Sequence, residues 1–260
     1  METPVNRDDF AKLFDLTDRV AIVTGGTRGI GRSLAEGLVC AGAKVVVASR
    51  KAEACAETEA HLTAMGGEAL GVATHMGDLD DLQALVDATV ERFGGIDIVI
   101  NNAANALTQP LGEFTPEAWD KSYAVNLRGP VFLVQYALPH LKASAHAAVI
   151  NVISAGAFLA SSQQSMYSGA KAGLMAFTRA QAREWAPFGI RVNALAPGTI
   201  DTDMVRNNPP EAVARMAAAS PMNRAAHADE MIGPMMFLVS DAGSFMTGQV
   251  VLADGGMVPH

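Results

Sequence analysis

Tyr167 and Lys171 stand four residues apart in a segment with helical patterning, Ser165 to Trp185. That spacing puts both side chains on one helix face, a turn apart. A free phenol titrates near pH 10, too high for proton exchange at neutral pH. An ammonium one turn away favours the phenolate and lowers that value. Reaching neutral pH takes about 4 kcal/mol, so a further positive group is expected beside the pair. Taken alone, Y-x-x-x-K is common and equally describes an amphipathic helix with a tyrosine anchor and a solvated lysine. Ser154 adds a third group, thirteen positions before Tyr167 and just past the apolar run Ala147 to Ile153. Far upstream, Val20 to Thr24 leads into Gly25-Gly26-Thr27-Arg28-Gly29-Ile30-Gly31, and a helix follows. The glycines allow a tight turn and close backbone approach, and the helix N-terminus offers N–H groups and partial positive charge to a diphosphate.

Elements that could position these groups are visible as short apolar runs alternating with helix-length segments. Strands are expected at Val20–Thr24, Lys44–Ser49, Ala69–Thr74, Asp97–Asn101, Ala147–Ile153, Ile190–Leu195 and Gln249–Ala253. Helices are expected at Gly29–Ala41, Lys51–Met65, Leu79–Phe93, Pro116–Leu141 and Ser165–Trp185, the fourth bent at Gly129-Pro130. Runs such as Val45-Val46-Val47 and Ile98-Val99-Ile100 show no polar alternation, which fits a parallel sheet covered on both faces. The pattern predicts one α/β domain over 1–260, a doubly wound parallel sheet of Rossmann type with helices on both faces. Residues 1–18 form a polar lead. Residues 199–224, with Asn207-Asn208-Pro209-Pro210 inside, read as an irregular lid over a site. In such a sheet the reactive crevice lies at the carboxyl ends of the strands. Ser154, the Asn101 strand end and the Gly25 turn would all open there.

The T-G-x-x-x-G-x-G spacing, together with Ser154, Tyr167 and Lys171, resembles the short-chain dehydrogenase/reductase family over nearly the whole chain, Arg19 to Gly256. The resemblance implies reversible hydride transfer between a nicotinamide cofactor and a carbonyl or secondary alcohol. It implies a catalytic tetrad of Asn126, Ser154, Tyr167 and Lys171. Tyr167 would exchange the proton and Ser154 would hydrogen-bond the reacting oxygen. Lys171 would lower the tyrosine pKa and bind the nicotinamide ribose. Asn126 would distort its helix so that a backbone carbonyl holds a water against Lys171.

The implied cofactor contacts begin with Gly25, Thr27, Arg28, Gly29, Ile30 and Gly31. Ser49 occupies the position where an acidic residue would hold a ribose 2′-hydroxyl, and Arg50 follows. A carboxylate repels a 2′-phosphate, whereas a hydroxyl and a guanidinium welcome one. With Arg28 in the turn, the family pattern implies NADP(H) over NAD(H). After the third strand His75-Met76 replaces the usual Asp-Val, and Asp78 reaches the adenine only if the loop is shifted. Asn102, Ala103 and Ala104 stand at the cofactor edge, Ala104 replacing a usual glycine. Pro197-Gly198, the backbone of Ile200 and the hydroxyl of Thr202 match the motif that holds the carboxamide.

Candidate substrate contacts are Ala155, Gly156, Phe158, Leu159, Met166, Met204 and Val205, mostly apolar with two adaptable methionines. With no Arg or Lys cluster there, an apolar ketone, aldehyde or acyl chain fits better than a charged sugar. Likeness within the family is divided between 3-oxoacyl-carrier-protein reductases and broad NADPH carbonyl reductases. An NAD-dependent alcohol dehydrogenase and a catalytically silent NADP-binding regulatory or assembly subunit remain as alternatives.

A net charge of −8 disfavours a nucleic-acid partner. Half the residues are apolar and 18% charged, which excludes a disordered chain. No basic–apolar leader and no run of 20 apolar residues is visible, so a cytoplasmic protein without membrane attachment is expected. The two cysteines, Cys40 and Cys55, suit a reducing compartment, and Cys40 is expected as an inert buried thiol. No metal-ligand cluster is present. The resemblance implies a homotetramer built on the helices containing Trp119 and Phe177 and on the last strand, with a dimer as runner-up.

Overall fold

The computed structural model describes residues 6–160 and 162–259. The first five positions of the lead, Ser161 and His260 lie outside the described residues.

Seven strands appear close to the expected runs: β1 Val20–Thr24, β2 Lys44–Ser49, β3 Ala69–Ala73, β4 Ile98–Asn101, β5 Ala148–Val152, β6 Arg191–Pro197 and β7 Val250–Ala253. They form one parallel sheet in the order β3-β2-β1-β4-β5-β6-β7. The order reverses between β1 and β4, paired through Ala21↔Ile98, Ile22↔Val99 and Val23↔Ile100. A crevice opens at such a reversal, at the carboxyl ends of the strands.

The helices are α1 Arg7–Lys12, α2 Gly29–Cys40, α3 Ala52–Ala64, α4 Leu79–Phe93, α5 Pro116–Tyr123, α6 Gly129–Ala143, α7 Ser165–Trp185, α8 Asp203–Arg206, α9 Pro210–Ala218 and α10 Ile232–Val239. Side chains alternate across each strand, so one apolar run feeds two cores. Ala21, Val23, Val45 and Val47 pack with Leu34 and Leu38 of α2 and Met235 and Leu238 of α10. Ile22, Val46 and Val99 pack on the opposite face with Leu82 and Leu85 of α4 and Leu133 and Val134 of α6.

Three expectations are corrected. The 116–141 helix is interrupted earlier than Gly129-Pro130, by a π-helical turn at Ala124–Arg128. Gly129 itself is helical, and a side chain there would drive into the Met76 carbonyl oxygen. Glycine is therefore required by close packing, and Pro130 has no N–H to offer the Asn126 carbonyl four residues back, so the α-helical ladder cannot run unbroken through this turn. The 199–224 segment is not irregular, since it carries the two short helices α8 and α9. Cys40 is exposed on α2, and Cys55 is the buried thiol.

Candidate active site

Each β-strand delivers its end residues to the same edge. Thr24 closes β1, and its Oγ1 accepts from the backbone N–H groups of Asn102 at 3.0 Å and Ala103 at 3.1 Å. The Asn102 side chain donates back to the carbonyls of Thr24 at 2.9 Å and Gly25 at 3.3 Å. The β4 end is thus pinned to the glycine turn. Gly25 has φ +64° and Gly29 φ +52°, conformations that favour glycine. A Cβ on Gly31 would drive into the Gly25 carbonyl oxygen and the Asn102 amide. Arg28 at the start of α2 makes no side-chain cap bond, so the first N–H groups of the helix stay available. Thr27 and Ile30 are partly buried beside them. This cradle fits a diphosphate.

Ser49 ends β2 half-buried, and Arg50 is exposed with no ion-pair partner among the described residues. Arg28 Nη1 lies 3.3 Å from Asp203 Oδ2, at the start of α8. Asp78 is held at the start of α4. Its carboxylate accepts from the N–H groups of Asp80 and Asp81 and caps α4, so it is committed to the helix. His75 Nδ1 accepts from Gly77 N–H at 3.1 Å and stiffens the same turn. Met76 is buried in the core, which leaves its backbone for the cofactor edge.

Pro197 closes β6, and a Cβ on Gly198 would meet the Asp254 Cα at 2.7 Å. Ala226 bonds Thr199 O and Asp201 N, which turns the N–H and C=O of Ile200 to the other side. The Ile200 N–H finds no acceptor among the described residues. That free donor fits a carboxamide. The neighbouring Thr202 lies against Gly29, joining this loop to the glycine turn. Ala104 is half-buried just past Ala103.

Lys171 is 1% exposed. Its Nζ donates to the Val152 carbonyl at 2.7 Å and sits 5.8 Å from the Tyr167 ring centre. Ser154 follows β5 and caps a short 3₁₀ turn, its Oγ accepting from Gly156 N–H at 3.0 Å. Burial pushes the Tyr167 phenol above its ordinary value, and the Ser154 hydroxyl pulls it back. Burial brings the Lys171 ammonium down to about 8. Burial thus acts against the expected lowering of the tyrosine. Both groups are desolvated, and desolvation favours both neutral forms.

Asn126 lies buried within the π-helical turn, packed against α7. Gly173 of α7 permits the approach, since a Cβ there would press on Leu127 at 3.3 Å. The Asn126 amide donates to Asn105 O at 2.8 Å and to Ser122 Oγ at 3.2 Å, and its Oδ1 accepts from Asn105 N–H at 3.0 Å. Asn105 was not anticipated, nor was Thr24. Thr24 could have been found as the polar end of an otherwise apolar strand.

Among the apolar candidates, Phe158 and Met204 are exposed, and Leu159, Val205 and Gly156 are half-buried. Ala155 and Met166 are closed off from solvent.

The family model described as enoyl-(acyl carrier protein) reductase matches residues 25–258. The chain is 38% identical to a cis-4-hydroxycyclohexanecarboxylate dehydrogenase from Sinomonas cyclohexanicum, over 92% of this chain and 96% of that protein. It is 37% identical to a 3-oxoacyl-[acyl-carrier-protein] reductase from Synechocystis, over 94% and 98%. The Pseudomonas aeruginosa RhlG/NADP active-site complex superposes with a TM-score of 0.89 at 35% identity, covering 95% of this chain and 98% of that one. Likeness of this extent joins a fold whose glycine cradle, strand ends and α7 already meet at one edge, and the chain belongs to the short-chain dehydrogenase/reductase family of oxidoreductases.

Proposed function

We propose that the protein is an NADP(H)-dependent oxidoreductase, acting as a single domain on the carbonyl or secondary alcohol of a mostly apolar substrate. The observation that carries this reading is Lys171. A fully buried ammonium with no carboxylate partner among the described residues is costly to keep, and it stands one turn from Tyr167 beside Ser154. The nicotinamide, when bound, supplies the hydride acceptor or donor and, when oxidised, a positive ring. The glycine turn would hold its diphosphate, Ser49, Arg50 and Arg28 its 2′-phosphate, and the Ile200 N–H with Thr202 its carboxamide. In the reductive direction Tyr167 gives its proton to the carbonyl oxygen, and Ser154 donates a hydrogen bond that steadies the developing charge there. Lys171 holds the phenolate that results, and Asn126 fixes the helix turn behind it.

The exposed Phe158 and Met204 support an apolar substrate. The Sinomonas and Synechocystis relatives are named for a ring alcohol and a 3-oxoacyl group, and we infer the first class, with the second as the alternative. The two free cysteines support a reducing compartment and thus the cytoplasm. No described helix is long and apolar enough to cross a membrane. Exposed Trp119 on α5, Phe177 on α7 and Phe245 before β7 support a homotetramer.

Tyr167→Phe tests the reading. Turnover of a cyclic ketone with NADPH is expected to fall by about 10²- to 10⁴-fold, with the NADPH Kd within about twofold. Unchanged turnover would overturn the role of Tyr167.

A further inference from the structure

Arg28 and Asp203 are 175 positions apart and meet at 3.3 Å. Their side chains are 72% and 53% exposed, so the pair can exchange partners with solvent ions and ligands. The contact is not isolated. Thr202 rests on Gly29, so the start of α8 and the glycine turn touch at two successive residues. Asp203 has a second cation within reach, Arg206 Nη1 at 3.9 Å from its other oxygen. Arg206 is itself anchored on Asp201, through Nε at 2.7 Å and Nη2 at 3.0 Å. An aspartate between two arginines can release one and keep the other.

We propose that Asp203 is a specificity-determining residue that competes with the cofactor's 2′-phosphate for Arg28. The proposal rests on the reading that this chain binds NADP(H) with Arg28 at that phosphate. In the free protein the guanidinium is neutralised by the lid. On binding it exchanges a carboxylate for a phosphate, and Arg206 remains to balance Asp203. The attraction of Arg28 for phosphate therefore reaches the measured affinity only after the lid contact is broken. Asp203 itself acts through Arg28 and touches no reacting atom.

Calorimetric binding of NADPH, NADH and adenosine 2′,5′-bisphosphate at low ionic strength tests this, in the wild type, Asp203→Asn, Arg28→Ala and the double variant. Asp203→Asn is expected to tighten NADPH and the bisphosphate by about 2- to 5-fold, the range of an exposed ion pair, and NADH by less. Asp203→Glu keeps the pair and is expected within about 1.5-fold of wild type. In the Arg28→Ala background the gain from Asp203→Asn is expected to vanish. Persistence of the gain without Arg28 would overturn the competition, as would an unchanged affinity in Asp203→Asn while Arg28→Ala still weakens NADPH. Equal tightening of NADH would overturn the 2′-phosphate as the competitor. Arg28→Ala with NADPH affinity intact would overturn the underlying cofactor reading, and the proposal with it.

Discussion

Lys171 is held at a stability cost that pH can reveal. Burial moves its ammonium from 10.5 down to about 8, so the fold disfavours the charged form. The penalty, about 3 kcal/mol, is complete below pH 8 and fades as pH rises from 8 toward 10.5. Methionine has similar length and no charge to desolvate. Ligand-free Lys171→Met is therefore expected to melt above the wild type at pH 7, with the gap narrowing by pH 9.5, while turnover is lost. A melting difference that does not move with pH would refute the buried-charge account. The raised Tyr167 phenol contributes an opposite trend only above pH 10, outside that window. Spacing alone was enough to pair Tyr167 with Lys171. It could not show that desolvation, and not mutual attraction, governs both groups before a ligand arrives.

The contact of α2 with the end of β4 runs through Gly31, and its tolerance for even one methyl is small. A Cβ there meets both the Gly25 carbonyl and the Asn102 amide that ties the two strand ends. Gly31→Ala is expected to cost about 1–3 kcal/mol in a urea titration and to weaken NADPH at least tenfold. Gly233→Ala in α10 is the control, because nothing lies within 4 Å of its added methyl. It is expected to be neutral or slightly stabilising. Comparable losses in both variants would point to a general glycine effect and away from the cradle. At this scale the apolar runs were legible because a strand buried on both faces has no polar alternation to hide it. The helices α8 and α9 were not, since Asn207-Asn208-Pro209-Pro210 reads as a breaker. In the structure Asn208 donates to Met204 and Val205 carbonyls and closes α8, and Pro210 opens α9. The breaker separates two helices; it does not exclude them.

Among the described residues large apolar side chains stay exposed on several elements, aromatic ones on α5, on α7 and just before β7. Trp119 stacks on Tyr123 at 4.3 Å yet stays 43% exposed, Phe177 is 42% exposed on the neighbouring α7, and Phe245 is fully exposed. β7 ends the sheet with every residue half-exposed. Aromatic groups so placed suit contacts between copies. Sedimentation equilibrium is expected to give four times the chain mass, and Trp119→Glu with Phe177→Glu is expected to halve it or better. A monomer at micromolar concentration would rule out the proposed assembly. The sequence motifs could locate these helices but not the pairing of Arg28 with Asp203, because no local pattern relates residues so far apart. The same holds for Cys40, placed on the outer side of α2 by packing that its own neighbours do not reveal.

The π-helical turn at Ala124–Arg128 holds one more residue than an α-helical turn. The extra residue is taken up inside the turn, so α6 leaves it with Leu133, Val134, Ala137 and Leu141 buried against the sheet. An extra residue placed within α6 itself would instead rotate everything downstream by about 100° and carry these four side chains off the sheet. The wide turn is thus the one stretch of this long helix where chain length is decoupled from helical phase.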